Sequence, residues 1–363
     1  MNNFYYSFPA IKGKQADRDY FVIMCPLSIL CKLFIFTDDE LPPDQRSQRV
    51  INKSRIPEMA SYIVDNPKDY VFSSLTASID GDFNFNPINS DFDEKIGLLK
   101  VSMDSRLLIN DGQHRRAAIE EALKNAPSLS NESISVVLFI DEGLKRSQQI
   151  FADLNKHAVT VSKSIGILYD SRDTIALLTK SLIDANKNLK YFTDKENPSL
   201  SKFSPKLFTL SSIYETNKKL LSKLSLNEDD SLKFILKFWD ILVSNMVEWN
   251  FVFDKEIKPK YFRDNFVSSN GVVLEALGLV GNYLYKNYPD SWYDILSNIK
   301  TIDWNRENLK DWQNRAIGLN GRIVKSTNYV KLTNNLIKIK LNIPLTAEEE
   351  KLEKDYKKQR KIK

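Results

Sequence analysis

The stretch from Arg106 to Leu123 constrains the fold of this chain more than any other segment. The apolar run at residues 107–109 predicts a short buried strand, and residues 110–112 predict a tight turn. From Gln113 onward, apolar residues recur at three- and four-residue spacing, which is typical of one helix face. The strand, the glycine turn and the helix start together offer backbone N–H groups to an anion.

Basic residues occupy the first turn of this predicted helix, where acidic residues are usual. The helix dipole is positive at its N-terminus, so Arg115 and Arg116 should each cost a few tenths to about 1 kcal/mol unless an anion binds. Gly112 would let a phosphate approach the backbone closely. The alternative is that Asp111 is an ordinary N-cap residue and that both arginines are solvated.

Residues 111–115 spell Asp-Gly-Gln-His-Arg, which resembles the motif of the DGQHR-domain proteins. The strand before this pentapeptide and the helix after it resemble the nucleotide-binding segment of the ParB/sulfiredoxin-like superfamily. Residues 149–155, with Phe151 four positions before Asn155, and residues 345–349 resemble two further segments of one family. That family is DndB, whose members regulate DNA phosphorothioation (DNA sulfur modification) in bacteria, and the resemblance covers most of the chain.

The patterning changes from mixed α/β to helical near Ser162, which predicts an α+β fold with two domains. A mixed α/β domain, ParB/sulfiredoxin-like as the resemblance implies, is expected at residues 1–162, and a mostly α-helical domain, a candidate for DNA binding, at residues 163–363. The implied function is that of a DNA-binding transcriptional regulator of the modification genes, which binds and hydrolyses ATP at the DGQHR segment. The expected partners are ATP with Mg²⁺ and double-stranded DNA, in the promoter region of those genes.

Three residues of the motif are candidates for catalysis. Asp111 would hold Mg²⁺, Gln113 would orient water, and His114 would act as acid or base, because its ordinary pKa is close to neutral. The candidate nucleotide-binding residues are Gly112, Arg115, Arg116 and Asn155. For Asn155 the alternative is a plain C-terminal cap of its helix.

The DNA-binding surface has several candidates. The net charge of +5 and the pI of about 8.8 permit nucleic acid as a partner without requiring it. A helix-turn-helix at about residues 203–225 is possible by analogy with ParB proteins, although its turn signal is poor. Arg46, Arg49 and Arg55 are candidate contacts that could equally form a solvated face. Arg315 and Arg322, near Gly318 and Gly321, are a rival candidate patch.

Two other functions remain open at this point. A ParB-like nuclease that nicks DNA would need several clustered carboxylates for its metal, and only Asp111 is evident. A non-catalytic module would use the nucleotide or DNA only to change conformation.

The chain carries no secretory signal and no apolar run long enough to span a bilayer, so a cytoplasmic protein without membrane contact is expected. Its two cysteines, Cys25 and Cys31, lie in an apolar context, which favours core packing over reactivity. Residues 272–285 are apolar nearly all round and predict either a buried helix or the surface of a homodimer.

Periodicity also predicts the other elements. Strands are expected at residues 20–24, 32–36, 70–79 and 134–140, and a hairpin should join 100–103 to 106–109. A surface loop is expected at residues 80–93. A helix should begin at Pro57, others should lie within 165–186, and the clearest amphipathic helix spans 232–246.

Overall fold

The computed structural model describes residues 4–34, 53–89, 93–140, 146, 149–150, 153–154 and 162–361. Contacts divide the chain into two compact units, residues 1–159 and 160–363. Three predicted site residues, Arg46, Arg49 and Asn155, lie outside the described residues.

The N-terminal unit is built on a seven-stranded mixed sheet with the order β4-β5-β1-β2-β7-β3-β6. Its strands are β1 (Tyr5–Gln15), β2 (Arg18–Pro26), β3 (Leu75–Asp80), β4 (Phe83–Asn89), β5 (Asp93–Ser102), β6 (Arg106–Asp111) and β7 (Ser133–Ile140). Neighbouring strands are antiparallel except β3 and β7, which run parallel. The described helices of this unit are α1 (Leu27–Leu33), α2 (Ile56–Asp65) and α3 (Gln113–Asn125).

Helix α3 packs against both α1 and α2. Its apolar face, with Ala118 and Ile119 fully buried, contributes to the core of the unit. Pro57 stands in the first turn of α2, where its missing N–H costs nothing, and Ala60 and Ile63 are buried. The mixed α/β character predicted for this half of the chain is confirmed.

Three local predictions for this unit were wrong. Residues 83–89 form strand β4 and not a surface loop, because Phe83 and Phe85 alternate in the strand and both pack against the ring of Phe21. The expected hairpin is absent, since β5 pairs with β1 and β4 while β6 pairs with β3. Residues 27–33 are helical, so Lys32 and Leu33 do not begin a strand.

The C-terminal unit is mostly helical, as predicted. Its helices are α4 (Lys163–Tyr169), α5 (Thr174–Ala185), α6 (Lys187–Phe192), α7 (Leu210–Leu220), α8 (Glu228–Asn245), α9 (Val247–Phe253), α10 (Pro259–Asn265), α11 (Gly271–Asn287), α12 (Trp292–Ser297), α13 (Leu309–Trp312), α14 (Thr327–Lys340) and α15 (Ala347–Lys361). Two short strands, Thr193–Asp194 and Phe208–Thr209, pair in parallel. No helix in the described part of the chain is long and apolar enough to cross a lipid bilayer.

Helix α11 is the central helix of this unit and packs against both α7 and α14. Most of its side chains are buried within the unit, which resolves the prediction for residues 272–285 in favour of a buried helix. The predicted helix-turn-helix is not present, because residues 203–225 contain the single helix α7, and most of its side chains are buried.

Candidate functional site

The turn between β6 and α3 requires glycine at position 112. Gly112 is the N-cap residue of α3 and has a φ of +104°, which L side chains rarely adopt. A Cβ atom at this position would lie 2.2 Å from Cδ2 of Leu75, at the start of β3. The backbone of the motif therefore lies against β3 with no room for a side chain.

A β-bulge lies immediately before this turn. Asp111 pairs with Thr76 and Ile109 pairs with Ala77, so Asn110 is an extra residue in β6. Asn110 is fully buried, and its Oδ1 accepts a hydrogen bond of 2.8 Å from the Ser78 hydroxyl. Its Nδ2 has no hydrogen-bond partner among the described residues. The sequence reading assigned Asn110 to the turn and missed it as a buried polar group of the site.

The side chain of Gln113 is committed to the backbone of the turn. Its Nε2 donates to the carbonyl oxygens of Ile109 and Asn110, at 3.1 and 3.2 Å, and the residue is buried. In this geometry Gln113 holds the bulge and the helix start together. His114, the next residue, is half-buried.

Arg115 fastens the motif to the segment that precedes β3. Its guanidinium donates to Oδ2 of Asp111 at 2.5 Å and to the carbonyl oxygens of Ser73 and Ser74, both at 2.7 Å. Asp111 is thus the ion-pair partner of Arg115 and not the N-cap residue, because Gly112 holds the cap position and no side chain caps α3. The Asp111 carboxylate therefore offsets the positive charge of Arg115, which opposes the dipole of α3.

Arg116 is buried and contacts α1. It donates to the carbonyl oxygen of Cys31 at 2.7 Å, which connects α3 to α1, and it pairs with Glu120 one turn further along its own helix. As in Arg115, the guanidinium already has acceptors inside the fold. A phosphate would have to compete with these acceptors for either arginine.

The predicted DNA-contacting arginines differ in their exposure. Arg55 and Arg322 are exposed. Arg315 is only 4% exposed; its guanidinium pairs with both carboxylate oxygens of Glu353, donates to the carbonyl oxygen of Leu332 at 2.6 Å and stacks on the ring of Tyr356. The predicted DNA contact of Arg315 is therefore wrong: its guanidinium donors are used inside the C-terminal unit, where the residue has a structural role.

The segment at residues 345–349 also has a structural role. Glu349 accepts hydrogen bonds from the ammonium of Lys338 at 2.6 Å, the backbone N–H of Thr346 at 2.8 Å and the amide of Asn334 at 2.8 Å. Burial raises the pKa of the Glu349 carboxyl, but the hydrogen bonds outweigh burial and hold that pKa below its usual range. This segment therefore neutralises Lys338, which is fully buried.

No group of three or more His, Cys, Asp or Glu residues that could hold a metal ion occurs within the described residues. Asp111, the predicted Mg²⁺ ligand, keeps a side chain that is 46% exposed.

Both cysteines have raised pKa values. Burial, and to a smaller extent the neighbouring Cys31, raise the pKa of the Cys25 thiol to about 12. Burial also raises the pKa of Cys31, although the charge of Arg116 acts in the opposite direction. Both thiols are therefore mainly protonated near neutral pH, which is the unreactive form.

We expect slow alkylation of the folded protein for this reason. At pH 8 a thiol with a pKa near 12 holds roughly a thousandfold less thiolate than an ordinary cysteine, so Cys25 should resist iodoacetamide until the chain is unfolded. Mass spectrometry should find two modified cysteines only in denaturant, with Cys25→Ser and Cys31→Ser variants assigning each site. Rapid modification of Cys25 in the folded protein would contradict the assignment of this thiol to the core.

The comparison with known families agrees with the resemblance noted in the sequence. A family model described as DndB, DNA-sulfur modification-associated, matches residues 8–344 and so extends across both units. No curated protein and no solved structure matches the chain. The matched region includes the bulge, the Gly112 turn and the Arg115 contacts, and the chain belongs to the DndB family of proteins associated with DNA sulfur modification.

Proposed function

We propose that the protein is a DNA-binding regulator of a DNA sulfur-modification system and that the β6–α3 turn is its nucleotide site. The observation that carries the proposal is the family match at residues 8–344, together with the geometry of the turn inside it. The expected ligands remain ATP with Mg²⁺, and the expected target remains promoter DNA of the modification genes.

The start of α3 has the features of a phosphate site. It has no side-chain cap and no acidic residue in its first turn, so its dipole and N–H groups are available to an anion. The unpartnered Nδ2 of buried Asn110 lies directly before the turn in the chain. These features would favour a phosphate group over a neutral ligand.

A phosphate here would act on the Asp111–Arg115 ion pair. If the phosphate took the place of Asp111 as an acceptor for Arg115, the released carboxylate could bind Mg²⁺. Because Arg115 also holds Ser73 and Ser74, its movement would transmit the event to the segment before β3. Through this movement of Arg115, binding and hydrolysis of the nucleotide would change the conformation of the N-terminal unit. His114 is the candidate acid or base for the hydrolysis step.

The first test is Arg115→Ala. Sequence reasoning alone predicts unchanged or slightly higher stability without ligand, but the contacts reverse that expectation. The substitution leaves the carbonyl oxygens of Ser73 and Ser74 and the Asp111 carboxylate without their donor, so we expect a loss of roughly 2–4 kcal/mol in unfolding free energy. Binding of ATP with Mg²⁺, measured by calorimetry below the melting temperature of the variant, should weaken about tenfold or more.

Arg106→Ala is the matched control, because Arg106 is an exposed arginine at the opposite end of β6. It should change neither stability nor nucleotide affinity by a measurable amount. The nucleotide proposal fails if the wild-type protein binds no ATP, or if Arg115→Ala binds ATP as tightly as wild type does. His114→Ala should reduce ATP turnover more than ATP binding.

DNA binding should depend strongly on salt. If the contacts are mainly to phosphates, the logarithm of affinity should fall linearly with the logarithm of salt concentration, with a slope of about −0.9 per contact. Exposed Arg322 is a candidate contact, and Arg322→Ala should reduce the magnitude of the slope by about 0.9 if it binds a phosphate. Fluorescence anisotropy between about 50 and 200 mM salt would measure this, and an affinity that does not change over that range would refute phosphate-dominated binding.

A further inference from the structure

A cavity of about 370 Å³ in the C-terminal unit lies between the N-terminal ends of α7 and α11. The charged side chains among the described residues that line it are Arg263 and Lys325, and the lining contains no carboxylate. Hydroxyl groups of Ser199, Ser211 and Ser269 also line it. The cavity therefore combines positive charge with hydrogen-bond donors.

The N-terminus of α11 contributes further donors. This helix is 17 residues long, and its N-cap residue, Asn270, makes no side-chain cap. The Asn270 amide donates instead to the carbonyl oxygen of Val267 at 3.1 Å. The N–H groups of Gly271 and Val272 donate to no acceptor within the described residues. In contrast, the nearby N-terminus of α7 is closed by a capping box.

Ser269 is the second, independent sign of a ligand. It is only 6% exposed, it lines the cavity, and its hydroxyl makes no hydrogen bond to the described residues. The hydroxyl oxygen itself is not fully shielded, so it is open to the cavity that the residue lines. A ligand in the cavity can therefore accept a hydrogen bond from it, and nearly buried hydroxyl groups normally have such a partner.

Both cations line the cavity together with the first residues of α11, where the helix dipole is also positive. The Lys325 ammonium lies 2.7 Å from Glu275 and 3.4 Å from the position of a Cβ built on Gly271, so it lies beside the start of the helix. An ammonium has three N–H donors, and Glu275 does not need all of them. Arg263 donates to four carbonyl oxygens of residues 201–206 and contacts no carboxylate among the described residues. Its positive charge is therefore held beside the cavity without an ionic partner.

We propose that this cavity binds a phosphate group, held by the N–H groups of Gly271 and Val272, the Ser269 hydroxyl and the Lys325 ammonium. The volume exceeds what a single phosphate needs and lies within the range of small-molecule sites, so a nucleotide or a DNA terminus could supply the group. The site shares no residue with the β6–α3 turn and stands independently of the nucleotide function proposed there.

Protein labelled with ¹⁵N-glycine offers a direct test, because the chain has 11 glycines and two of them report on the two sites. Gly271 lies in this cavity, and Gly112 lies at the β6–α3 turn. Inorganic phosphate, AMP and a short DNA duplex should be titrated separately into the full-length protein. We expect phosphate to shift the Gly271 amide. If a nucleotide is the natural source of the phosphate group, AMP should bind more tightly than inorganic phosphate. If DNA is the source, the duplex should bind more tightly than inorganic phosphate.

Substitutions then test the assigned residues. Lys325→Gln should weaken phosphate binding roughly tenfold or more, and Ser269→Ala roughly fivefold, since both remove a hydrogen bond to the ligand. Lys331→Gln is the matched control, because Lys331 is equally exposed, at 51% against 50%, and also pairs with a glutamate, but it lies outside the cavity. The Lys331→Gln protein should bind phosphate with the affinity of the wild type.

The proposal is overturned if none of the three probes shifts Gly271 at concentrations on the order of 10 mM. It is also overturned if Lys325→Gln and Ser269→Ala, both folded by circular dichroism, bind phosphate as wild type does. ATP with Mg²⁺ should be titrated in the same way; a shift of Gly112 with ATP and no response of Gly271 to any probe would refute this site and support the nucleotide site. The reverse result would support this site alone.

Discussion

Gly112→Ala should destabilise the N-terminal unit by roughly 2–6 kcal/mol, which would unfold it at temperatures where the wild type is folded. Two costs add. The φ of +104° is strained for any residue with a Cβ, and that Cβ would lie 2.2 Å from Cδ2 of Leu75, so either the buried Leu75 side chain or the turn must shift. A shift of Leu75 would disturb the core of the unit, and a shift of the turn away from β3 would strain the contacts of Arg115 with Ser73 and Ser74.

The chain itself supplies the means of measurement. All five tryptophans lie in the C-terminal unit, so their fluorescence reports that unit, while far-ultraviolet circular dichroism reports both. Gly112→Ala should lower a melting transition seen by circular dichroism and leave the fluorescence transition unchanged. Gly166→Ala is the control, because Gly166 is helical with no atom within 4 Å of an added Cβ, and this change should stabilise by about 0.5–1 kcal/mol. A Gly112→Ala protein that melts as the wild type does would disprove the tight approach to β3.

Glu353→Ala should cost about 3–5 kcal/mol in the C-terminal unit, because it leaves the buried Arg315 guanidinium without its carboxylate. Both side chains are 5% exposed, so water cannot replace the lost partner. The fluorescence transition should fall accordingly, since Trp312 lies just before Arg315 and is buried.

Two comparisons make this prediction specific. Glu348→Ala removes the partner of Lys331 from an exposed ion pair and should cost less than about 1 kcal/mol. Replacing both partners, as in Arg315→Met with Glu353→Leu, should recover most of the lost stability, since no charge is then left buried. If Glu353→Ala and Glu348→Ala have equal effects, the assignment of Arg315 to a buried ion pair is incorrect.

Periodicity predicted the elements whose apolar pattern is local. Helix α8, strand β7 and the strand–turn–helix around Gly112 follow directly from residue spacing. Strand β4 was missed because its glycine- and asparagine-rich surroundings resemble a loop, although Phe83 and Phe85 carried the two-residue alternation of a strand. The pairing of β6 with β3 was missed because adjacent strands usually form hairpins, and no local signal reports a partner some 30 residues away in the chain.

In the candidate site, too, local features could be predicted from the sequence and contacts between distant residues could not. The need for glycine at position 112 and the unusual basic residues after it were visible in the sequence. The partners of Arg115 were not, because Ser73 and Ser74 lie more than 40 residues earlier and only the pairing of β3 with β6 brings them together. Asn110 reads as a turn residue until the register of β6 reveals the bulge. Arg315 reads as a surface cation because Glu353, which neutralises it, is 38 residues away.

The strand order of the N-terminal unit has a consequence for its synthesis on the ribosome. Strand β7 lies between β2 and β3, although it is the last strand of the sheet to be translated. Strands β3 and β6 and the Gly112 turn therefore emerge before the strand that joins them to the rest of the sheet. At roughly 5–20 residues per second, the 29 residues from Gly112 to the end of β7 take a few seconds to appear. During this interval the hydrophobic edges of β2 and β3 are exposed together, and nascent chains should depend on chaperones most at that stage.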